Sequence, residues 1–356
     1  MQINIVDLVP IIIIFQSILF ALVLISDRGS KKISNRYLSL FLLVLALQFT
    51  SILIESLGYK LSFISLSICI YGFAYGPLLY FYSHSLMYKS FLFKKEQLFH
   101  FLPLPILYVL IALEVSICSY VGSLIYISLI IYVSLAVKEI LHYRKVIKET
   151  QSTVERVNLV WLEWTMILFC FTLVLDMIDQ LVWSMDIVAN ISTIHLALLL
   201  LINWMFYKGL KQPQIFLGIT KLDEKVFQEK KNITEEKKPT KKEQEEIDVL
   251  LKFMKDNAIY TNAELNINQL SEQIEIPSRQ LSYLINAFLK KNFMAFVNDY
   301  RIQEAIKRFK HPEDNNETIS EVMYDVGFNS KSSFNTLFKK QTGYTPSEYK
   351  KKYFNS

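Results

Sequence analysis

Glycine and proline are scarce in this 356-residue chain, nine of each, which excludes a collagenous or Pro/Gly-rich disordered protein. Cysteine is scarcer still. Cys69, Cys118 and Cys170 stand at unrelated spacings, so neither a disulfide framework nor a Cys-rich zinc site is available. The first part of the chain also has little charge: residues 1–207 carry 13 Lys/Arg and 12 Asp/Glu, against 25 and 21 in the 149 residues that follow. The two parts are built for different solvents. Beyond residue 207 there is one histidine, His311, with no cysteine and no phosphate-cradling Gly loop, so neither an enzyme nor a bound cofactor is expected.

What the first part has is long apolar runs. Seven stretches, 8–26, 37–57, 62–87, 97–117, 121–141, 159–183 and 188–207, approach or exceed the ~20 residues that cross a bilayer as a helix. Met1–Asp7 has no basic character and no small-residue cleavage site follows the first run, so that run is expected to be a span and not a signal peptide. Lys and Arg gather in alternate loops: Arg28, Lys31, Lys32 and Arg36; Lys89, Lys94 and Lys95; then Lys138, Arg144, Lys145, Lys148 and Arg156. Of the remaining loops only one is basic, through Lys60. Positive loops stay in the cytoplasm. A seven-span bundle over 1–210, set in lipid of a bacterial inner membrane, is therefore predicted with its N-terminus outside and all that follows Lys208 inside.

Acids within spans are costly and mark candidate sites. In this topology Asp7, Glu55, Glu114, Asp176, Asp179 and Asp186 fall in the outer half or at its rim. Asp176 and His195 lie at equal distances from the turn joining the last two spans, both roughly 14 Å below the surface. Asp176, Asp179 and His195 thus form the expected sensing site for a small-molecule or proton signal, the alternative being a structural hydrogen bond between two helices. Gly72 and Gly76 give one face of the third span close approach, for internal packing or for a homodimer.

Residues 211–246 read as a charged linker, since 221–246 hold eight Lys and eight Asp/Glu and cannot bury a core. Residues 247–356 show helical periodicity and a diverged internal repeat. Leu270, Ile274 and Ile276 match Val322, Val326 and Phe328 at an offset of 52, and Leu281, Leu284 and Ile285 match Phe334, Leu337 and Phe338 at 53. Each copy is a short helix, a tight turn and a second helix. Asn266 with Gln269, and Thr318 with Glu321, have capping-box spacing; Thr345-Pro346-Ser347-Glu348 starts a further helix. Gly327 supplies the permissive backbone of the second turn, where the first copy has Glu275.

Two such units joined by a long helix around "YRIQEAIKRF" resemble the DNA-binding region of AraC/XylS-type transcription regulators. The resemblance is carried by Gly327, Phe328, Ser330, Phe334, Phe338, Lys339, Lys340, Gly343, Pro346, Glu348 and Tyr349, within residues 325–350. Phe309, Thr336 and Glu275 depart from the family pattern. The front part, around "YGPLLYFYSHSL" and "HFLPLPI", resembles multi-span regions attached to such domains in some Gram-negative bacteria. The resemblance implies a partner, double-stranded DNA. Side chains off the apolar stripe of each second helix are expected to face base edges: Arg279, Gln280, Tyr283 and Asn286, then Lys331, Ser332, Asn335 and Thr336. Lys339 and Lys340 are expected on phosphates, because residues 331–356 hold six Lys against the single acid Glu348. The competing expectation is a transporter or receptor whose C-terminal domain recruits protein partners.

Overall fold

The computed structural model describes residues 5–26, 32–59, 62–89, 91–113, 118–153, 159–182, 193–211, 218–230, 238–312 and 317–354. Among these there is no strand; an isolated bridge pairs Gln151 with Asn266. The chain divides into two compact units. One comprises Met1–His142 and Leu159–Gly218, and the other Tyr143–Asn158 and Ile219–Ser356.

The first unit contains α1 (Ile5–Ser26), α2 (Lys32–Ser56), α3 (Ser62–Met87), α4 (Pro103–Ala112), most of α5 (Cys118–Thr150), α6 (Val160–Val182) and α7 (Thr193–Lys211). Helix α2 packs between α1 and α3, and α7 lies against α6 and α1. Small residues let α3 and α5 approach: a Cβ on Gly72 would stand 2.5 Å from the Ile125 side chain, and one on Gly76 would stand 2.6 Å from Tyr132. The glycines therefore serve packing inside the unit. Large apolar side chains point outward instead, among them Phe15 at 66% exposure and Phe171 at 56%. Exposed apolar faces of this kind mark surfaces that contact a protein or a membrane.

The span count differs from seven. Among the described residues three helices are long and apolar enough to cross a membrane: Leu8–Ser26, Ile33–Glu55 and Val121–Thr150. The clearest departure is the stretch 97–117, expected as one span. It is a 3₁₀ segment, Lys95–Phe101, followed by the ten-residue α4, because Pro103 lacks the N–H to continue a helix but suits the first turn of a new one. Ten residues rise only about 15 Å.

The second unit holds the end of α5, then α8 (Lys221–Lys230), α9 (Lys241–Asp256), α10 (Ile267–Ile274), α11 (Ser278–Ala287), α12 (Phe293–Lys310), α13 (Ile319–Asp325), α14 (Lys331–Thr342) and α15 (Pro346–Phe354). The linker expectation changes here, since α8 buries Val226 and Asp223 and packs on α11. Val226 and Phe227 are the buried apolar residues by which this short helix docks. Both repeats fold as anticipated. The Asn266 side chain accepts from the Asn268 and Gln269 amides, and the Thr318 side chain accepts from that of Glu321. Glu348 accepts from the Thr345 amide at 2.8 Å. The Glu321 carboxylate likewise accepts from the Thr318 amide at 2.6 Å, and these amide bonds hold the Glu321 and Glu348 carboxyls below the usual carboxylate range.

Helix α12 serves two cores. Phe293, Phe296 and Val297 join Leu270, Leu281 and Ile285 in the first; Ile302, Ala305 and Phe309 join Val322, Phe334 and Phe338 in the second. Arg301 sits at the seam and is wholly buried. It donates to the backbone oxygens of Tyr260 at 2.7 Å and Asn262 at 2.8 Å, to Ser152 Oγ at 3.0 Å and to Asn298 Oδ1 at 3.0 Å.

The two inter-helix turns also differ. Gly327 takes φ +97° and Glu275 takes φ +57°, so the glutamate occupies a left-handed position that a Cβ disfavours. Replacing Glu275 with Gly should stabilise the unit by about 0.5–1 kcal/mol once the greater freedom of the unfolded glycine chain is set against the relieved strain. A thermal midpoint that stays the same or falls would refute it.

Candidate nucleic-acid interface

Helices α11 and α14 are the second helices of the two units, and their apolar stripes are buried. Leu281, Leu284 and Ile285 on α11, like Phe334 and Phe338 on α14, are fully enclosed. At 100° per residue the opposite face of α11 carries Arg279, Tyr283 and Asn286, and that of α14 carries Ser332, Asn335, Thr336 and Lys339. Each short helix is aimed by its contact with α12 and by its partner, α10 or α13.

On α14 the reading face is open. Lys331, Ser332 and Thr336 are exposed and Asn335 is half-buried, its neighbours leaving the helix start accessible. Ser330 caps the helix by accepting from the Ser333 amide, and Gly343 ends it at φ +79°. Lys339 and Lys340 are exposed in the last turn. Lys352, on α15, lies over the Tyr344 ring at 4.6 Å and donates to its hydroxyl at 3.1 Å; that bond raises the ammonium above its ordinary pKa. These lysines are exposed cationic side chains on α14 and α15, the residue type that phosphate contact calls for.

On α11 only Arg279 of the four anticipated base-facing residues is exposed; Gln280, Tyr283 and Asn286 are half-buried. Gln280 donates to Glu246 at 2.8 Å and Asn286 to Glu149 at 3.1 Å. The Tyr283 hydroxyl is raised in pKa by burial first and then by Glu243, to which it is hydrogen-bonded. Sequence reasoning missed these three acids, since none lies within thirty residues of α11 in sequence.

Arg301 was also missed, although a signal existed. Residues 293, 297, 301, 305 and 309 repeat every fourth position as Phe, Val, Arg, Ala and Phe, so a charge falls on the apolar stripe of α12. Of the expected sensing residues, the side chains of Asp176 and Asp179 lie outside the described residues. His195 is half-buried, edge-on to Phe49 at 5.1 Å between ring centroids.

The geometry of two helix pairs on a shared long helix agrees with comparison to known proteins. Residues 270–352 match the helix-turn-helix domain family. The C-terminal part of this chain is thus similar to helix-turn-helix domains. It is 32% identical over 88 residues to the uncharacterized HTH-type transcriptional regulator YdeC of Bacillus subtilis (strain 168), covering 25% of this chain and 29% of that protein. It is 31% identical over 106 residues to an uncharacterized HTH-type transcriptional regulator in the cgkA 5′ region of Pseudoalteromonas carrageenovora, covering 27% of this chain and 61% of that one. The match thus spans less than two thirds of either relative. Both are named as transcriptional regulators, a class of non-enzymes. No solved structure matches the chain.

Proposed function

We propose that this chain is a membrane-anchored transcription regulator that reads duplex DNA sequence-selectively and couples a signal at the membrane or its outer face to gene expression. The observation that carries the reading is the pair of helix-turn-helix units on one helix, α12, inside the segment that matches the domain family. Two recognition helices in one chain address successive major-groove segments about 10 bp apart. The full chain in lipid nanodiscs is expected to select duplexes from a random-sequence pool. Lys339→Ala should weaken every sequence alike and reduce the salt slope by about one. Arg279→Ala or Asn335→Ala should instead relax preference at one position, at a cost of about 1–3 kcal/mol for the preferred base. Equal affinity for all sequences at moderate salt would defeat the reading and favour a domain that recruits protein partners.

Anchoring is supported by the three long apolar helices and by the outward apolar side chains of the first unit. The lysine and arginine tally supports the orientation. A reporter active only in the cytoplasm is expected to work when fused after Arg28, Lys95, Lys148 or Lys211 and to fail after Ser119 or Asp186. Activity at Asp186 would overturn the proposed topology.

A further inference from the structure

The two recognition helices come from one repeat, yet their reading faces are treated differently. At the offset of 53 residues that aligns them, Ser278 corresponds to Lys331, Ser282 to Asn335, Tyr283 to Thr336 and Asn286 to Lys339. At these four positions α11 is less exposed than α14, whereas Arg279 and its counterpart Ser332 are both exposed. Ser278 and Ser282 keep only 7% and 4% exposure, whereas Lys331, Thr336 and Lys339 are exposed and Asn335 is half-buried. A polar stripe one turn apart does not bury itself. Something covers it.

Three segments of the same unit lie against α11. Helix α8 packs on α11. Helix α9 brings Glu243 to Tyr283 and Glu246 to Gln280, and the last turn of α5 brings Glu149, itself 4% exposed, to Asn286. Just beyond, residues 151–153 are bonded to the start of the first helix-turn-helix unit. The Ser152 amide donates to the Leu265 oxygen at 3.1 Å and Thr153 Oγ1 to the Ala263 oxygen at 2.9 Å. Arg301 secures the same segment through Ser152 Oγ at 3.0 Å. The groups that would meet bases therefore meet carboxylates, and carboxylates also repel phosphate.

We propose that Glu149, Glu243 and Glu246 form an acidic clasp that holds the first recognition helix covered, and that release of the α5 end from the helix-turn-helix domain exposes it for DNA. This deepens the regulator reading and rests on it. Because α5 is one of the three candidate spans, a change in that helix has a covalent route to the clasp. The second recognition helix stays open throughout. The closed chain then makes phosphate contacts through α14 and α15 but lacks half of its sequence readout.

The test uses the full chain in lipid nanodiscs, with Cys69, Cys118 and Cys170 replaced by serine and with Glu149→Cys and Asn286→Cys introduced. A short, reducible bis-maleimide bridge then locks the clasp. The probe is the tightest duplex recovered from a random-sequence pool by the unbridged variant, alongside a scrambled duplex. The bridged chain is expected to bind the selected duplex about tenfold or more weakly, as for a binding-competent population cut to a tenth or less, and to recover on reduction. Equal affinity before and after bridging overturns the clasp. A pool that yields no preferred duplex overturns the regulator reading itself, and the clasp with it. In a chain that keeps its native cysteines, Glu149→Gln, Glu243→Gln and Glu246→Gln together are expected to raise affinity more than Glu245→Gln, Asp248→Asn and Asp256→Asn, which change charge equally on exposed positions of α9. Equal gains would mean that bulk charge alone acts, against the clasp.

Discussion

Replacing Arg301 with Met is expected to destabilise the second unit by several kcal/mol, since each buried acceptor left without its donor costs about 1–3 kcal/mol. The guanidinium is 0% exposed and its described partners are backbone and side-chain oxygens from three separate segments: Ser152, Tyr260 with Asn262, and Asn298. Methionine fills similar space but donates nothing, so several carbonyls would be left dry and unpaired. Lysine keeps the charge without the planar fork and should recover only part of the loss. Hydrogen exchange of α12 and α13 amides in the full chain in nanodiscs reads the effect directly. Unchanged protection in the Met variant would show that the buried cation holds nothing together.

Gly327→Ala should cost about 2–5 kcal/mol, from two separable sources. At φ +97° a Cβ is strained by the backbone alone. In addition, it would stand 2.7 Å from the Tyr260 oxygen and 2.8 Å from the Thr261 oxygen, main-chain atoms that cannot swing away. Gly343 is the internal comparison: its φ is +79°, but nothing lies within 4 Å of the added carbon. Gly343→Ala should therefore show only the backbone share, about 1–2 kcal/mol. If the two variants lower the thermal midpoint equally, the close approach at Gly327 contributes nothing to stability.

Both sites explain why part of the molecule was legible in sequence. The caps at Asn266 and Thr318, the turn at Gly327 and the apolar stripes of α11 and α14 are governed by residues three or four positions apart, so spacing alone located them. The stretch 97–117 shows the opposite case. A hydropathy window counts apolar side chains whatever their backbone can do, and Pro103 divides the run into a 3₁₀ segment and a short helix. Likewise the composition of 221–246 spoke for a solvated linker, yet Val226 finds a pre-formed apolar face among Leu250, Leu270 and Leu281.

The sequence by itself determined the helical class, the apolar and charged halves, the repeat with its caps, and the candidate side chains on α11 and α14, because all of these follow from composition or from contacts within one or two turns. Only the tertiary structure decided that the end of α5 belongs to the helix-turn-helix unit, that Arg301 ties residue 152 to residues 260–262, and that α11 is covered while α14 is open. Those relations join residues distant in sequence, 34 positions apart for Gln280 and Glu246 and 137 for Asn286 and Glu149. No local periodicity encodes them: they arise when buried polar groups must find partners in three dimensions, wherever along the chain those partners happen to lie.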